Sequence, residues 1–395
     1  MSKSNETTPN VPTLRFAEYT DEWHKYALSD FVTRITRRNK NNESSLPLTI
    51  SAQYGLVDQI TFFNKTVASV DLSGYYLLYN GDFAYNKSYS NDYAWGAVKR
   101  LDKYEKGCLS SLYFVFRPTD KVDSDYLTHY FETNKWHKGI SDIAGEGARN
   151  HGLLNMAVDD YFATKHYLPS LSEQKKIACF LNLITKRIEI QNKIISDLKV
   201  LKKELCNKVF GKGSAVRLGD FIEEVTTRNK SNNCENVLSV SNKMGFIKQS
   251  EQFEDRTVAS ENKSNYKVVT EGCFAYNPAR INVGSIALLS TYKIGIISPM
   301  YVCFKTKSAL DSEYLNFYYQ SGFFYKELQK KLEGSVRQCL TYENMSEILI
   351  PYVGIEKQKA IATALNKFAT LIANEEKYLK SLQKQKSYFL SAMFI

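Results

Sequence analysis

The chain has 395 residues, 43% of them hydrophobic and 24% charged, and carries a net charge of +10. That length is too great for one ordinary domain, and the apolar content excludes wholesale disorder. No apolar run approaches the roughly 18–20 residues that span a bilayer, and the polar stretch from Met1 to Asn10 lacks the apolar core of a signal peptide, so a cytoplasmic chain with no membrane contact is expected.

In chain order, a lead-in over 1–27 precedes a first globule over 28–170. The globule mixes short helical patches with strand-like runs such as Ser111–Phe116, rich in aromatic and β-branched residues. After Pro169, Ser172 with Glu173 and Gln174 marks a helix opening. The helix covers 171–211, with apolar residues every three to four positions: Leu181, Ile184, Ile188, Ile195, Leu198 and Leu205, interrupted by Gln191 and Lys202. Gly211-Lys212-Gly213-Ser214 ends it as cap and linker. A second globule over 212–354 contains the strand-like run Met300–Phe304. A second helix over 355–395 repeats the stripe as Leu365, Phe368, Ile372, Leu379, Leu382 and Phe389, interrupted by Glu375 and Lys386.

The halves are copies. Leu28-Ser29-Asp30-Phe31 recurs as Leu218-Gly219-Asp220-Phe221, and Arg38-Asn39-Lys40 as Arg228-Asn229-Lys230, both at an offset of 190. Phe83-Ala84-Tyr85-Asn86 recurs at 191, Tyr126-Leu127 at 188, and Gln174, Ile177 and Ala178 at 184. So many matches in order mean a duplication of about 190 residues. Two helices sharing a register predict a mutual pair. Antiparallel pairing is expected, because it closes globule–helix–globule–helix into a pseudo-twofold α+β object with a globule at each end, whereas parallel pairing crowds both globules at one end.

No catalytic signature emerges. Asn277-Pro278-Ala279-Arg280 lacks the second proline and aromatic of an amino-methyltransferase N-P-P-[YF] loop, and no glycine-rich S-adenosylmethionine loop precedes it. Lys212 has Cys206 where a phosphate loop needs glycine, and Glu173-x-Lys175 is a triplet expected by chance. Seven scattered cysteines without C-x-x-C and five histidines without ligand spacing predict neither disulfides nor metal.

What the globules do carry is basic, amide and aromatic side chains at loop-like positions. Arg reads guanine, Asn or Gln reads adenine, and Lys neutralises phosphate. The candidates for DNA contact are Arg37, Arg38, Asn39, Lys40, Lys87, Tyr89, Arg149, Asn150 and His151 in the first globule. In the second they are Arg228, Asn229, Lys230, Asn242, Lys243, Arg280, Asn282, Arg337 and Gln338. A coiled-coil scaffold binding only proteins, or a DNA methyltransferase or nuclease, are the alternative readings.

The run Leu168-Pro169-Ser170-Leu171-Ser172-Glu173-Gln174-Lys175-Lys176-Ile177-Ala178, its second copy from Ile350-Pro351 to Gln358-Lys359-Ala360-Ile361-Ala362, the segment Val11–Phe16 with Trp23, and Gly334-Ser335-Val336-Arg337-Gln338 together resemble the specificity subunit of type I restriction-modification systems. The second copy departs at Glu356-Lys357-Gln358. The resemblance implies two target recognition domains, each reading half of a split double-stranded DNA target. It implies that the helices act as a spacer ruler and as a dock for two methyltransferase subunits. S-adenosylmethionine, ATP and Mg are then cofactors of the methyltransferase and motor-nuclease partners, and this chain catalyses nothing.

Overall fold

The structure, a computed structural model, describes residues 10–65, 67–90, 93–144, 152–242, 244–252, 262–333 and 338–395. It forms two compact units, Met1–Gln191 with Tyr378–Ile395, and Asn192–Lys377. Each unit therefore holds one globule and half of each long helix, so the units divide inside the helices, at 191/192 and 377/378, not at their ends.

In the first unit, four antiparallel strands lie in the order Val32–Arg34, Phe114–Pro118, Phe83–Asn86, Ala97–Arg100. In the second, the same order is met by Ile222–Glu224, Val302–Thr306, Phe274–Tyr276 and Ile286–Leu288. The expected strands over 111–116 and 300–304 thus begin later. Tyr113 and Tyr301 each donate a backbone N–H to a serine carbonyl three residues back, at Ser110 and Ser298, so a turn occupies the start of both runs. Beside each sheet lies a hairpin, Leu48–Ser51 with Gly55–Asp58 and Val237–Ser241 with Gly245–Lys248, over a small apolar core of its own.

The long helices span Leu171–Phe210 and Ile355–Ala392. The first opens at Leu171 as expected, but Ser170, two residues before Ser172, is the cap, its Oγ accepting the Glu173 N–H at 3.4 Å. They run antiparallel. Within the first unit Phe180 packs edge-on against Phe389 at 4.9 Å while Arg187, farther along, bonds Tyr378; within the second, Lys199 pairs with Glu376 at 2.7 Å. None of the twelve predicted seam residues is exposed, and Leu181, Ile195, Leu365, Ile372 and Leu382 are fully buried. The two lysines that interrupt the stripes turn to the globules instead. Lys386 pairs with Glu132 at 2.8 Å, and Lys202 reaches Gln320 at 3.4 Å and lies over the Phe317 ring. Among the described residues no helix is long and apolar enough to cross a membrane.

The glutamine shared by both helix openings has a structural reason. Buried Gln174 accepts the Asp123 N–H at 2.8 Å and donates to the Pro169 carbonyl at 3.0 Å. Gln358 accepts the Asp311 N–H at 2.8 Å and donates to the Val353 carbonyl at 2.7 Å. Asp123 and Asp311 in turn cap the helices Ser124–Tyr130 and Ser312–Tyr319. Each glutamine thus ties its long helix to the globule before it. Truncation strands a buried N–H and a carbonyl, so Gln174→Ala and Gln358→Ala should each cost about 2 kcal/mol. All three tryptophans, Trp23, Trp95 and Trp136, lie in the first half, so tryptophan fluorescence in urea reads the first variant and calorimetry the second. Unchanged midpoints would show that these bonds are made equally well by water.

Candidate nucleic-acid interface

The recurring Arg-Asn-Lys motif divides by role. Asn39 and Asn229 are buried, and each holds its own loop closed. Asn39 donates to the Ser44 carbonyl at 2.9 Å and accepts the Ser44 N–H at 3.1 Å; Asn229 does the same with Cys234 at 3.0 and 3.2 Å. Five residues of chain closed on one amide explain why asparagine stands at both positions, and neither amide is left to read a base. This corrects the expectation for both.

Arg37 is corrected too. Its Nη2 lies 2.9 Å from the fully buried Asp82, its Nε donates to the Leu77 carbonyl at 3.1 Å, and its guanidinium stacks on Tyr79. Arg38 and Arg228 occupy matching places, donating to the carbonyls of Gly74 and Asn265 at 2.5 and 2.7 Å; Arg38 also covers the Tyr76 ring. Tyr89 is packed against the first core, and Lys87 sits half-buried over Phe114 at 4.8 Å, where burial lowers its pKa. Lys40 and Lys230 are exposed at the loop tips, as phosphate contacts need to be. Gln338 is exposed as well. Arg149, Asn150, His151, Lys243 and Arg337 lie outside the described residues.

Two of the predicted residues come together. Asn242, at the turn of the hairpin Val237–Ser241/Gly245–Lys248, and Arg280, on the loop after Phe274–Tyr276, line one cavity of about 230 Å³ in the second unit. Asn282 is exposed on the same loop. The cavity adds Gln249 and Asn277, which the motif reading passed over, and it is walled by Tyr266, Val283 and Met300. Both recur, Asn277 repeating Asn86 at 191 and Gln249 repeating Gln59 at 190, so they belong to what the two copies share. The cavity joins amide and guanidinium donors to apolar walls, a donor set suited to the edge of a base.

Residues 214–384 match the model of the type I restriction modification DNA specificity domain. Among curated proteins, the chain is 24% identical to the type I restriction enzyme MjaVIII specificity subunit of Methanocaldococcus jannaschii, over 73% of this chain and 74% of that protein. It is 26% identical to the putative type I restriction enzyme MjaX specificity subunit of the same organism, over 71% and 69%. The chain is thus similar over some 70% of its length to type I specificity subunits. The fold agrees. The S subunit of a type I restriction-modification system from M. genitalium superposes with a TM-score of 0.57 at 14% identity, covering 98% of this chain and 99% of that one. A chain from a study of complex assembly and conformational transition in the type I system gives 0.55 at 16% identity, covering 93% and 96%.

Proposed function

We propose that this specificity subunit binds double-stranded DNA in the cytoplasm, each globule reading one half of a bipartite target. The observation that carries the reading is the duplication followed down to single hydrogen bonds. Asn39 and Asn229, and Gln174 and Gln358, repeat one frame, while exposed side chains on that frame differ. One frame with two sets of readers suits two different half-targets. Partner methyltransferase subunits dock on the helices and bring S-adenosylmethionine. A motor-nuclease subunit brings ATP and Mg, and this chain itself does no chemistry. A protein dock is supported by apolar residues outside the seam: Leu183 and Ile190 in the first unit, and Ile194 and Leu201 in the second, are all exposed.

The helices act as the ruler between half-targets. One heptad inserted into both, within 184–205 and 368–389, adds about 10 Å of rise, or about 3 base pairs of spacer. Selecting preferred duplexes from a random pool before and after the insertion checks this; an unchanged spacer with retained binding refutes the ruler. A gel shift with random duplex that is insensitive to salt would refute DNA binding itself, since phosphate contacts release counterions.

A further inference from the structure

We infer that Arg280 is a specificity-determining residue of the second globule, reading guanine at the mouth of the cavity it shares with Asn242, Gln249 and Asn277; the inference rests on the DNA-recognition reading above. Its backbone is held from both sides. The Arg280 N–H donates to the Asn277 carbonyl at 3.0 Å, and its own carbonyl accepts from Val283 and Ser285, each at 3.2 Å. Asn277 Oδ1 accepts the Ala279 N–H at 3.1 Å, fixing the turn from the other direction, and Gly284 at φ +88° closes it.

The guanidinium is in the opposite condition. It is exposed and makes no hydrogen bond or ion pair with any described residue. Among the described residues, the other arginines considered for DNA contact are committed: Arg37 to Asp82, Arg38 to the Gly74 carbonyl, Arg228 to the Asn265 carbonyl. A donor fork on a clamped backbone loses little freedom when it pairs with O6 and N7 of guanine, so the pairing discriminates strongly between bases.

The first globule supplies an internal control. Its corresponding loop opens on the same side-chain bond, Asn86 Oδ1 accepting the Ser88 N–H at 2.9 Å, but is longer, and the Tyr89 N–H donates to the Gly152 carbonyl at 3.1 Å. It carries Lys87, Ser88 and Tyr89 where the second has Pro278, Ala279 and Arg280. The opening asparagine bond is common to both copies and the arginine belongs to one. A residue that tells one half-target from the other must show that pattern. Of the neighbouring amides, Asn277 holds the turn and Asn242 donates to the Val283 carbonyl at 3.4 Å, so the arginine fork is the reader at this mouth.

Selection of duplexes from a random pool by the full chain, its Arg280→Ala variant and its Arg280→Lys variant tests this. The native chain is expected to enrich a guanine at one position of one half-target. Both variants should lose that preference by about tenfold or more, while the other half-target and the thermal midpoint stay unchanged, because the side chain is exposed. Arg280→Lys keeps the charge but not the fork, so it separates base reading from phosphate contact. Overturning results are a native motif retained by both variants, or one lost in Arg280→Ala and kept in Arg280→Lys. A native chain that selects no motif at all refutes the DNA-recognition reading itself, and with it this inference.

Discussion

Asp82→Ala is expected to destabilise the first globule by about 3 kcal/mol, read as a lower urea midpoint in tryptophan fluorescence. The Asp82 carboxylate is fully buried and accepts from Arg117 at 2.6 Å, from Arg37 at 2.9 Å and from the Tyr79 N–H at 2.8 Å. Breaking a buried ion pair by deleting one partner typically costs about 3–5 kcal/mol, and the lower end applies because both guanidinium groups keep partial contact with water. The second globule makes the same place neutral. Cys273 stands at the position of Asp82, taking the Thr270 N–H at 3.5 Å as Asp82 takes that of Tyr79. Thr227 replaces Arg37, and Lys305 replaces Arg117 and turns to Thr270 Oγ1 at 2.8 Å. All three members of the triad changed together. A triple variant, Asp82→Cys with Arg37→Thr and Arg117→Lys, should therefore recover most of what Asp82→Ala loses. If the triple variant is no more stable than the single one, the triad is not a unit.

That triad also shows what the sequence could and could not disclose. The duplication and the two helix stripes follow from periodicity, and they were legible because spacing alone encodes them. The direction of a polar side chain is not encoded by spacing. Arg37 looks like a free base reader until a carboxylate 45 residues away is seen to hold it. Asn39 and Asn229 looked like a pair of adenine readers because they recur. Recurrence in a duplicated chain marks what both copies need, and what both need is the frame: a loop clamp, a helix tie, a turn. The readers are to be sought where the frame repeats and the side chain does not, as at Arg280 against the Lys87–Tyr89 loop. The helix openings fit the same rule, since Gln174 and Gln358 recur as ties while Glu173, bound bidentate by Arg15 of the lead-in, has Lys357 as its counterpart.

The first globule should also lose about 2.5 kcal/mol between pH 7.5 and pH 4.5 through His166, a loss that the second, which has no histidine, does not share. All five histidines lie in the first half of the chain. His166 is buried between Tyr130, whose hydroxyl is 2.7 Å from Nδ1, and Thr164, whose hydroxyl is 2.8 Å from Nε2. Thr164 Oγ1 already donates its one proton to the Tyr161 carbonyl at 2.7 Å, so it accepts from Nε2–H, and Nδ1 accepts from the tyrosine. Both bonds are those of a neutral ring, and burial lowers the His166 pKa to about 4. An unfolded histidine titrates near 6.5, so the unfolded chain takes up the proton first: stability is fully present above about 6.5 and drains as pH falls through the window to about 4. Glu132 acts in a lower range. Burial raises its pKa, but His129 at 3.7 Å and Lys386 at 2.8 Å outweigh that and hold it at about 2, so its contribution is lost only below about 4.5. In the second globule the residue in the place of His166 is the buried Ile350, and Tyr318, in the place of Tyr130, donates to the Leu349 carbonyl at 2.9 Å. His166→Ile therefore imports the neutral solution: it should cost stability at pH 7.5, where Tyr130 and Thr164 lose their partner, yet flatten the decline toward pH 4.5. Urea midpoints by tryptophan fluorescence at the two pH values decide it, because a decline equally steep in the variant would place the acid sensitivity on another group.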